Sequence, residues 1–261
     1  MTTDEMVTTR TDGDGVEIVV LRHPPVNALN AALLGSLADR FAAIEADPQS
    51  RCVVLTGDGA YFSAGADLKE LAALPAADAP AVVARGLDVF GRIERVRVPV
   101  VAAINGLAVG GGLELALACD LRVAGESAKL GAPEVNYGLM PAYGGSQRLL
   151  RLVGPARARE LIFTGHLLSA ADALKVGLVN RAVPSGQELR AARDLAHTIA
   201  SRAPRAVAAA KRALLAGRDR PLPEALASDS ELFLREVLPT TDLVEGLTAF
   251  AERRPPKFKG E

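Results

Sequence analysis

The sequence has no tryptophan, and aromatic residues make up only 4% of its 261 positions. Proteins that bind single-stranded nucleic acid need aromatic side chains for base stacking, and proteins that bind duplexes need a basic face. Here 30 basic residues are balanced by 31 acidic ones, which gives a net charge of −1. The composition therefore predicts no nucleic-acid partner and no attraction to an anionic membrane surface.

Cysteine is almost as scarce. Cys52 and Cys119 each lie in an apolar run, without a C-x-x-C pattern or a Cys/His cluster, so we expect two buried free thiols. No run of about 18 apolar residues occurs, so no spanning helix is expected. The N-terminus, MTTDEMVTTRTDGDG, lacks the apolar centre of a secretory signal. These absences favour a cytoplasmic protein.

Several common catalytic and binding patterns are missing as well. The glycine run Gly106–Gly112 fits neither G-x-G-x-x-G nor a phosphate loop, and neither Ser63 nor Ser146 lies in G-x-S-x-G. The histidines are far apart and lack metal-ligand spacing: His23, His166 and His197. We therefore expect no metal, no nucleotide cofactor and no serine nucleophile.

The first half of the chain alternates between buried strands and a helix. Short runs rich in β-branched residues predict strands over Val16–Leu21, Arg51–Thr56 and Val98–Ile104. Between the first two, Asn30 is a candidate N-cap. Apolar residues at helical spacing follow it: Leu33, Leu34, Leu37, Phe41 and Ile44. Strand, helix and strand in this order predict a parallel crossover.

Further along, shorter strands are predicted at Leu121–Ala124 and Lys129–Gly131, a loop at Leu74–Ala81, and a strand-like run at Gly177–Val183. From Gly145 the pattern is mainly helical. The predicted helices are Ser146–Leu152, Ala156–Phe163, Ala170–Val176, Gly186–Ala200, Arg205–Ala216, Glu224–Leu238 and Thr241–Arg253. We divide the chain into a core, 1–195, and a helical C-terminal region, 196–261.

Two segments place small residues between a strand and a predicted helix: Tyr61–Leu71 and Asn105–Ala116. Loops at the carboxyl ends of parallel strands converge, and helix N-termini there present unpaired N–H groups. Two such groups aimed at one point would form an oxyanion hole. Each loop alone is weak evidence, because glycine after a strand is usually part of a turn.

Two acids accompany these loops. Glu114 lies just inside the helix after the glycines, and Glu134 follows Pro133 among apolar residues. Carboxyls in apolar surroundings can hold different protonation states, one as a base and the other as an acid. The alternative is that Glu114 merely favours the helix dipole, and the spacing alone does not decide between these interpretations.

The segments FSAGADLKEL, NGLAVGGGLELALACDLRVA and APEVNYGLMPAYGGSQRLLRLVG occur in the order that is typical of one family. With them, nearly the whole chain resembles the enoyl-CoA hydratase/isomerase (crotonase) superfamily. The resemblance implies an α/β fold of repeated ββα units forming two near-perpendicular sheets. It also implies a helical C-terminal region that drives trimerisation, into a homotrimer or a dimer of trimers.

The same resemblance implies an acyl-CoA thioester ligand and assigns the site. The oxyanion N–H groups fall on Ala66 and Gly111, and the two catalytic acids of hydratases fall on Glu114 and Glu134. Because both acids are present, the family pattern favours an enoyl-CoA hydratase of fatty-acid or related acyl-CoA metabolism. Coenzyme A is then part of the substrate, and no separate cofactor is needed. The alternatives are a Δ3-Δ2 enoyl-CoA isomerase and a non-catalytic acyl-CoA-binding protein.

The family resemblance also implies residues that bind CoA. The residues that match CoA- or substrate-binding positions are Ala64, Asp67, Leu68, Ala142, Arg22, Lys257 and Lys259. The sequence departs from the family pattern at two places: Ala142, in the loop that helps place the catalytic water, stands where hydratases often have glycine, and Asn136-Tyr137 adds polar bulk beside Glu134. The segment Leu74–Ala81 falls where the acyl pocket wall varies most, so acyl chain length is not predicted.

Overall fold

The computed structural model describes residues 6–261, so the start of the polar N-terminal stretch lies outside the described residues. Its strands form two sheets. The six-stranded sheet has the order β1 (Val7–Thr11), β2 (Val16–Leu21), β3 (Cys52–Gly57), β5 (Val100–Ile104), β7 (Leu121–Gly125), β10 (Arg181–Val183). The four-stranded sheet has the order β4 (Tyr61–Ser63), β6 (Leu107–Val109), β8 (Lys129–Gly131), β9 (Leu167–Ser169).

From β3 to β8, the strands alternate between the two sheets along the chain. β3, β5 and β7 belong to the larger sheet, and the strands that follow them, β4, β6 and β8, belong to the smaller one. A helical segment follows each pair: α2 (Leu68–Ala73) with α3 (Ala79–Arg95), then α4 (Gly111–Ala118), then a 3₁₀ helix (Pro133–Tyr137). The predicted repeated ββα pattern and the two sheets are confirmed.

The first crossover shows how local signals build this fold. The Asn30 side chain accepts the Leu33 N–H at 2.8 Å and starts α1 (Ala31–Ala46). The apolar residues predicted from their spacing are all buried in α1: Leu33, Leu34, Leu37, Phe41 and Ile44. β2 and β3, on either side of α1, pair in parallel as predicted.

The remaining helices are α5 (Gly145–Thr164), α6 (Ala170–Lys175), α7 (Glu188–Ala200), α8 (Pro204–Gly217), α9 (Leu222–Leu232), a π-helical segment (Phe233–Val237) and α10 (Thr241–Glu252). α5 is interrupted at Gly154, where φ is 78° and ψ is 166°, which agrees with the two helices predicted there. No helix within residues 6–261 is both long and apolar enough to cross a membrane.

The division after residue 195 stays a prediction; that position lies within α7, whose Ala192, Ala196 and Ala200 pack in one buried cluster with the six-stranded sheet. Two other sequence predictions need correction. The predicted helix Glu224–Leu238 is α9 followed by a π-helical turn, and the strand-like run Gly177–Val183 forms a strand only over its last three residues.

Candidate active site

A cavity of about 450 Å³ opens between α2, α3, the start of α4 and the segment after the 3₁₀ helix. Most of its lining is apolar. Glu114 is 4% exposed and Tyr143 is 7% exposed, so these two mark the buried end of the cavity. The exposed rim carries Leu68, Tyr137 and Met140. The cavity therefore runs from solvent to one of the two predicted acids.

Glu114 is held by backbone N–H groups of the loop before α5. Tyr143 and Gly145 donate to its Oε1 at 2.8 and 2.7 Å, and Gly144 between them has φ of +95°, a conformation that favours glycine. Gly145 itself has no room for a side chain, because a Cβ there would lie 2.7 Å from the same oxygen. One carboxylate oxygen is thus fixed, while the side chain still faces the cavity.

Glu134 lies in the 3₁₀ helix and faces the same cavity. Both of its carboxyl oxygens are buried, and neither has a hydrogen-bond partner in the described part of the chain. Its Oε1 lies 3.5 Å from the position that a Cβ on Gly110 would occupy, so the carboxyl stands next to the turn that leads into α4. Since buried polar atoms without protein partners are costly, this carboxyl is a candidate functional group.

Burial changes the ionisation of both carboxyls, and Glu134 also acts on Glu114. Burial raises the pKa of Glu114 to about 7; the N–H groups of Gly145 and Tyr143 oppose the rise, as does the Arg148 charge, while the Glu134 charge adds to it. Burial also raises the pKa of Glu134. Because like charges disfavour double ionisation, a charged Glu134 favours the protonated form of Glu114.

Two backbone N–H groups lie beside the acids. Gly111 is the first residue of α4, and Ala66 precedes α2 in a loop that bridges to Leu29. A Cβ on Gly111 would lie 3.3 Å from the Ala66 nitrogen, so the two backbone segments nearly touch. Within residues 6–261 neither N–H group donates a hydrogen bond. The arrangement offers two free donors to one oxygen at the cavity wall.

A family model described as enoyl-CoA hydratase/isomerase matches residues 11–261. The chain belongs to the enoyl-CoA hydratase/isomerase family. It is 39% identical to a probable enoyl-CoA hydratase of Bacillus subtilis, over 94% of this chain and 96% of the relative. It is 40% identical to a short-chain-enoyl-CoA hydratase of Clostridium acetobutylicum, over 92% of each. The crystal structure of an enoyl-CoA hydratase from Bacillus anthracis superposes with a TM-score of 0.95 at 40% identity, covering 98% of this chain and all of the other.

In this hydratase/isomerase chain the predicted CoA-binding residues separate into two groups. Those that line the cavity are Ala64, Asp67, Leu68 and Ala142. Arg22 lies outside it and pairs with Asp58 at 3.3 Å. The N–H groups of Lys257 and Lys259 donate to α10, to Glu245 and Asp242, each at 2.7 Å, so the tail folds along that helix. Roles in CoA binding stay predictions for all seven residues.

Other features of the family site had no clear sequence signal. The buried ring of Tyr143 lies against Gly86 and packs edge-on to Phe90, with centroids 5.5 Å apart. Burial raises the pKa of Tyr143, and the charges of Glu114 and Glu70 add to the rise. Gly86 and Phe90 are four residues apart, so they lie on the same face of α3. This spacing is the local sequence signal for the surface against which the Tyr143 ring packs.

The predicted buried thiols are confirmed: burial raises the pKa of both Cys52 and Cys119 to about 12. Across the described residues, no group of three or more His, Cys, Asp or Glu side chains could hold a metal ion. We still predict, from the family resemblance, that this protein needs no cofactor.

Proposed function

We propose that this protein is an enoyl-CoA hydratase, which adds water reversibly across the 2,3 double bond of a trans-2-enoyl-CoA to give a 3-hydroxyacyl-CoA. The observation that carries the proposal is the meeting of two buried carboxyls, Glu114 and Glu134, with two free N–H groups at one cavity. The names of the hydratase relatives support the same reaction.

The N–H groups of Ala66 and Gly111 would bind the thioester oxygen. When water adds at C3, negative charge develops on this oxygen as the thioester gains enolate character. Donors fixed at that point stabilise the charge in the transition state, and each is worth about 2.7–4 kcal/mol in comparable oxyanion holes. The positive end of α4, which begins at Gly111, adds to this effect.

The two glutamates would divide the proton transfers. Glu114 takes a proton from water as the water oxygen bonds to C3. Its pKa of about 7 makes its carboxylate a stronger base than an ordinary glutamate, and two N–H donors hold it in place. Glu134 delivers a proton to C2, because its buried and unpaired oxygens favour the protonated form. The proton lost by water and the proton gained by C2 balance, and dehydration reverses both roles.

A panel of substrates tests this function against its alternatives. We expect crotonyl-CoA or a longer 2-enoyl-CoA to lose its absorbance and to yield 3-hydroxyacyl-CoA, and 3-hydroxyacyl-CoA to be dehydrated in reverse. Conversion of a 3-enoyl-CoA alone would favour the isomerase. Binding of acyl-CoA by calorimetry, with no product over hours, would favour a protein without catalytic activity.

The CoA moiety would follow the mouth of the cavity. We assign Ala64, Asp67 and Leu68 to the path of pantetheine and adenine, and Ala142 to the wall beside the attacking water. Lys257 and Lys259 would reach a CoA phosphate of a neighbouring subunit, and Arg22 would meet the pyrophosphate. For the tail, replacing both lysines with alanine should raise KM for the CoA substrate and leave kcat unchanged.

For assembly we propose a homotrimer or a dimer of trimers. The C-terminal helices expose large apolar side chains that include Leu214, Leu222, Phe233, Leu234, Leu247 and Phe250. Exposed apolar patches of this kind usually mark contacts between chains. Light scattering coupled to gel filtration would give the mass, and a monomer would contradict the proposal. The cytoplasmic location rests on the sequence alone and stays a prediction.

A further inference from the structure

Arg148 lies in α5, just beyond the residues whose N–H groups hold Glu114. Its side chain is only 12% exposed. Its Nη1 donates to the backbone carbonyl of Tyr143 at 2.9 Å, and its Nη2 donates to Oε2 of Glu94 on α3 at 3.0 Å. Arg148 therefore fastens the loop before α5 to α3, and it does so without lining the cavity.

The glycines of this loop restrict its backbone only weakly, so a contact that holds the Tyr143 carbonyl can fix its conformation. The two donors to Oε1 of Glu114, Tyr143 and Gly145, stand on either side of Gly144. Glycine backbones reach many conformations at similar energy, so consecutive glycines do not by themselves fix the direction of an N–H group. Holding the Tyr143 carbonyl limits the rotation of the neighbouring peptide groups and keeps both donors aimed at one oxygen.

Glu94 also links Arg148 to the C-terminal helices through a second hydrogen bond. Oε1 of Glu94 accepts a hydrogen bond from Nη1 of Arg218, which follows α8, at 2.9 Å. Burial alone would raise the pKa of Glu94, but hydrogen bonds from Arg148 and Arg218 lower it on balance. Glu94 is thus a charged carboxylate between two guanidinium groups, and charge-assisted hydrogen bonds of this kind are the stronger ones in proteins.

We propose that Arg148 is a positioning residue for the hydration reaction: by holding the Tyr143 carbonyl, it aims the N–H groups of the loop at Glu114. This inference rests on the proposed function, because it gives Arg148 a role in that reaction. Since Arg148 does not line the cavity, its loss should affect turnover more than substrate binding.

The ionisation of Glu114 supplies a specific signature. The ionisable groups around it are the Glu134 carboxyl on the 3₁₀ helix, the Tyr143 phenol and the Arg148 guanidinium. The Glu94 carboxylate on α3 acts through its pair with Arg148. Burial and the Glu134 charge raise the pKa of Glu114, and the Arg148 charge lowers it. Without that charge the pKa rises further, so the acidic limb of the rate profile, where the base becomes protonated, moves to higher pH.

The test measures kcat, KM and the pH profile of kcat/KM for crotonyl-CoA hydration in the wild type and in variants. For Arg148→Gln we expect kcat to fall on the order of 10- to 100-fold, because the base is less well aligned. KM should stay unchanged and the acidic limb should move to higher pH. Glu94→Gln leaves the Arg148 charge in place and removes a charge that opposes it. Its kcat should therefore fall less, and its acidic limb should not move to higher pH.

Arg151→Gln is the matched control, because it removes a more exposed pair with Asp219 from the same helix. We expect wild-type kinetics for it. Wild-type kcat and profile in Arg148→Gln, or an equal loss in Arg151→Gln, would overturn the proposal.

If Arg148→Gln does not fold, Arg148→Lys tests the positioning role instead. A single ammonium keeps the charge but cannot bridge Tyr143 and Glu94 as the guanidinium fork does. Its kcat should therefore fall while the acidic limb stays in place, and a wild-type kcat would overturn the proposal. A wild-type protein that hydrates no enoyl-CoA would instead overturn the proposed function, so the two failures are distinguishable.

Discussion

Gly145 donates its N–H to Oε1 of Glu114 at 2.7 Å, and a Cβ at Gly145 would stand 2.7 Å from that same oxygen. The residue that holds the carboxylate therefore cannot carry a side chain without displacing it. This one contact joins the N-terminus of α5 to α4 and fixes where the proposed base stands in the cavity.

Gly145→Ala should displace the Glu114 carboxylate and lower kcat on the order of 100-fold, because small misplacements of a catalytic group are that costly. The measurement is kcat for crotonyl-CoA hydration, together with a melting curve to verify folding. Gly35→Ala is the matched control. Gly35 lies inside α1 with open space at its Cβ position, and its alanine variant should keep full activity.

Gly65→Ala should block the proposed oxyanion hole. A Cβ there would lie 2.9 Å from the Gly111 nitrogen, and φ of Gly65 is +87°. Loss of one oxyanion donor costs about 10²–10³ in kcat in a comparable site. Gly59→Ala separates this effect from backbone strain, because Gly59 also has a positive φ, 74°, but nothing near its Cβ position. Equal losses in both variants would contradict the assignment.

The raised pKa of Glu114 predicts a pH-dependent cost in stability. In the unfolded chain this carboxyl titrates near 4.5, and in the folded chain at about 7. Between these values the folded state binds more protons, so the free energy of unfolding falls as pH rises. The fall is about 3 kcal/mol when the shift is converted at about 1.4 kcal/mol per pKa unit.

Glu114→Gln removes this titration. Urea unfolding at about pH 5 and about pH 8 should show a smaller decrease in stability for the variant than for the wild type. Glu224→Gln, at an exposed position of α9, is the control and should behave as the wild type does. The same pH dependence in Glu114→Gln and in the wild type would contradict the raised pKa.

The charge of the cavity lining predicts which acyl groups it accepts. The carboxyl side chains that line it are Asp67, Glu70, Glu114 and Glu134, and within residues 6–261 no Lys, Arg or His lines it. Placing a like charge beside them costs several kcal/mol. The kcat/KM for glutaconyl-CoA, a 2-enoyl-CoA with a terminal carboxylate, should therefore be on the order of 100-fold or more below that for crotonyl-CoA.

Glu70→Gln should reduce the difference in kcat/KM between crotonyl-CoA and glutaconyl-CoA. The glutamine keeps an oxygen that can accept the Ala31 N–H, which Glu70 binds at 3.1 Å, and it removes one negative charge. Equal use of the two substrates by the wild type would contradict the electrostatic argument.

Where signals are local, the sequence predicts the fold well. Asn30 and the apolar spacing after it predict α1, and both act within a few residues. The strands β4, β6 and β9 were missed, whereas β8, which also has three residues, was predicted; runs this short give no consistent alternating pattern. β1 was missed because it lies at the sheet edge, and only Val7 among its five residues is buried.

Only part of the candidate site is visible in the sequence, as with the fold. The glycine loops and the two acids are visible in the sequence, but the meeting of Glu114 with Glu134 came from the family resemblance, since it depends on tertiary packing. Backbone donors such as Tyr143 and Gly145 have no side-chain signature at all. Arg148 pairs with a residue 54 positions away, which no local pattern reveals.

The rate of crotonyl-CoA hydration in the wild type, Glu114→Gln and Glu134→Gln tests the central claim most directly. Because the proposal assigns one proton transfer to each glutamate, both variants should fold normally and lose activity by about 100-fold or more. Full activity in either variant would contradict the mechanism of paired carboxyls.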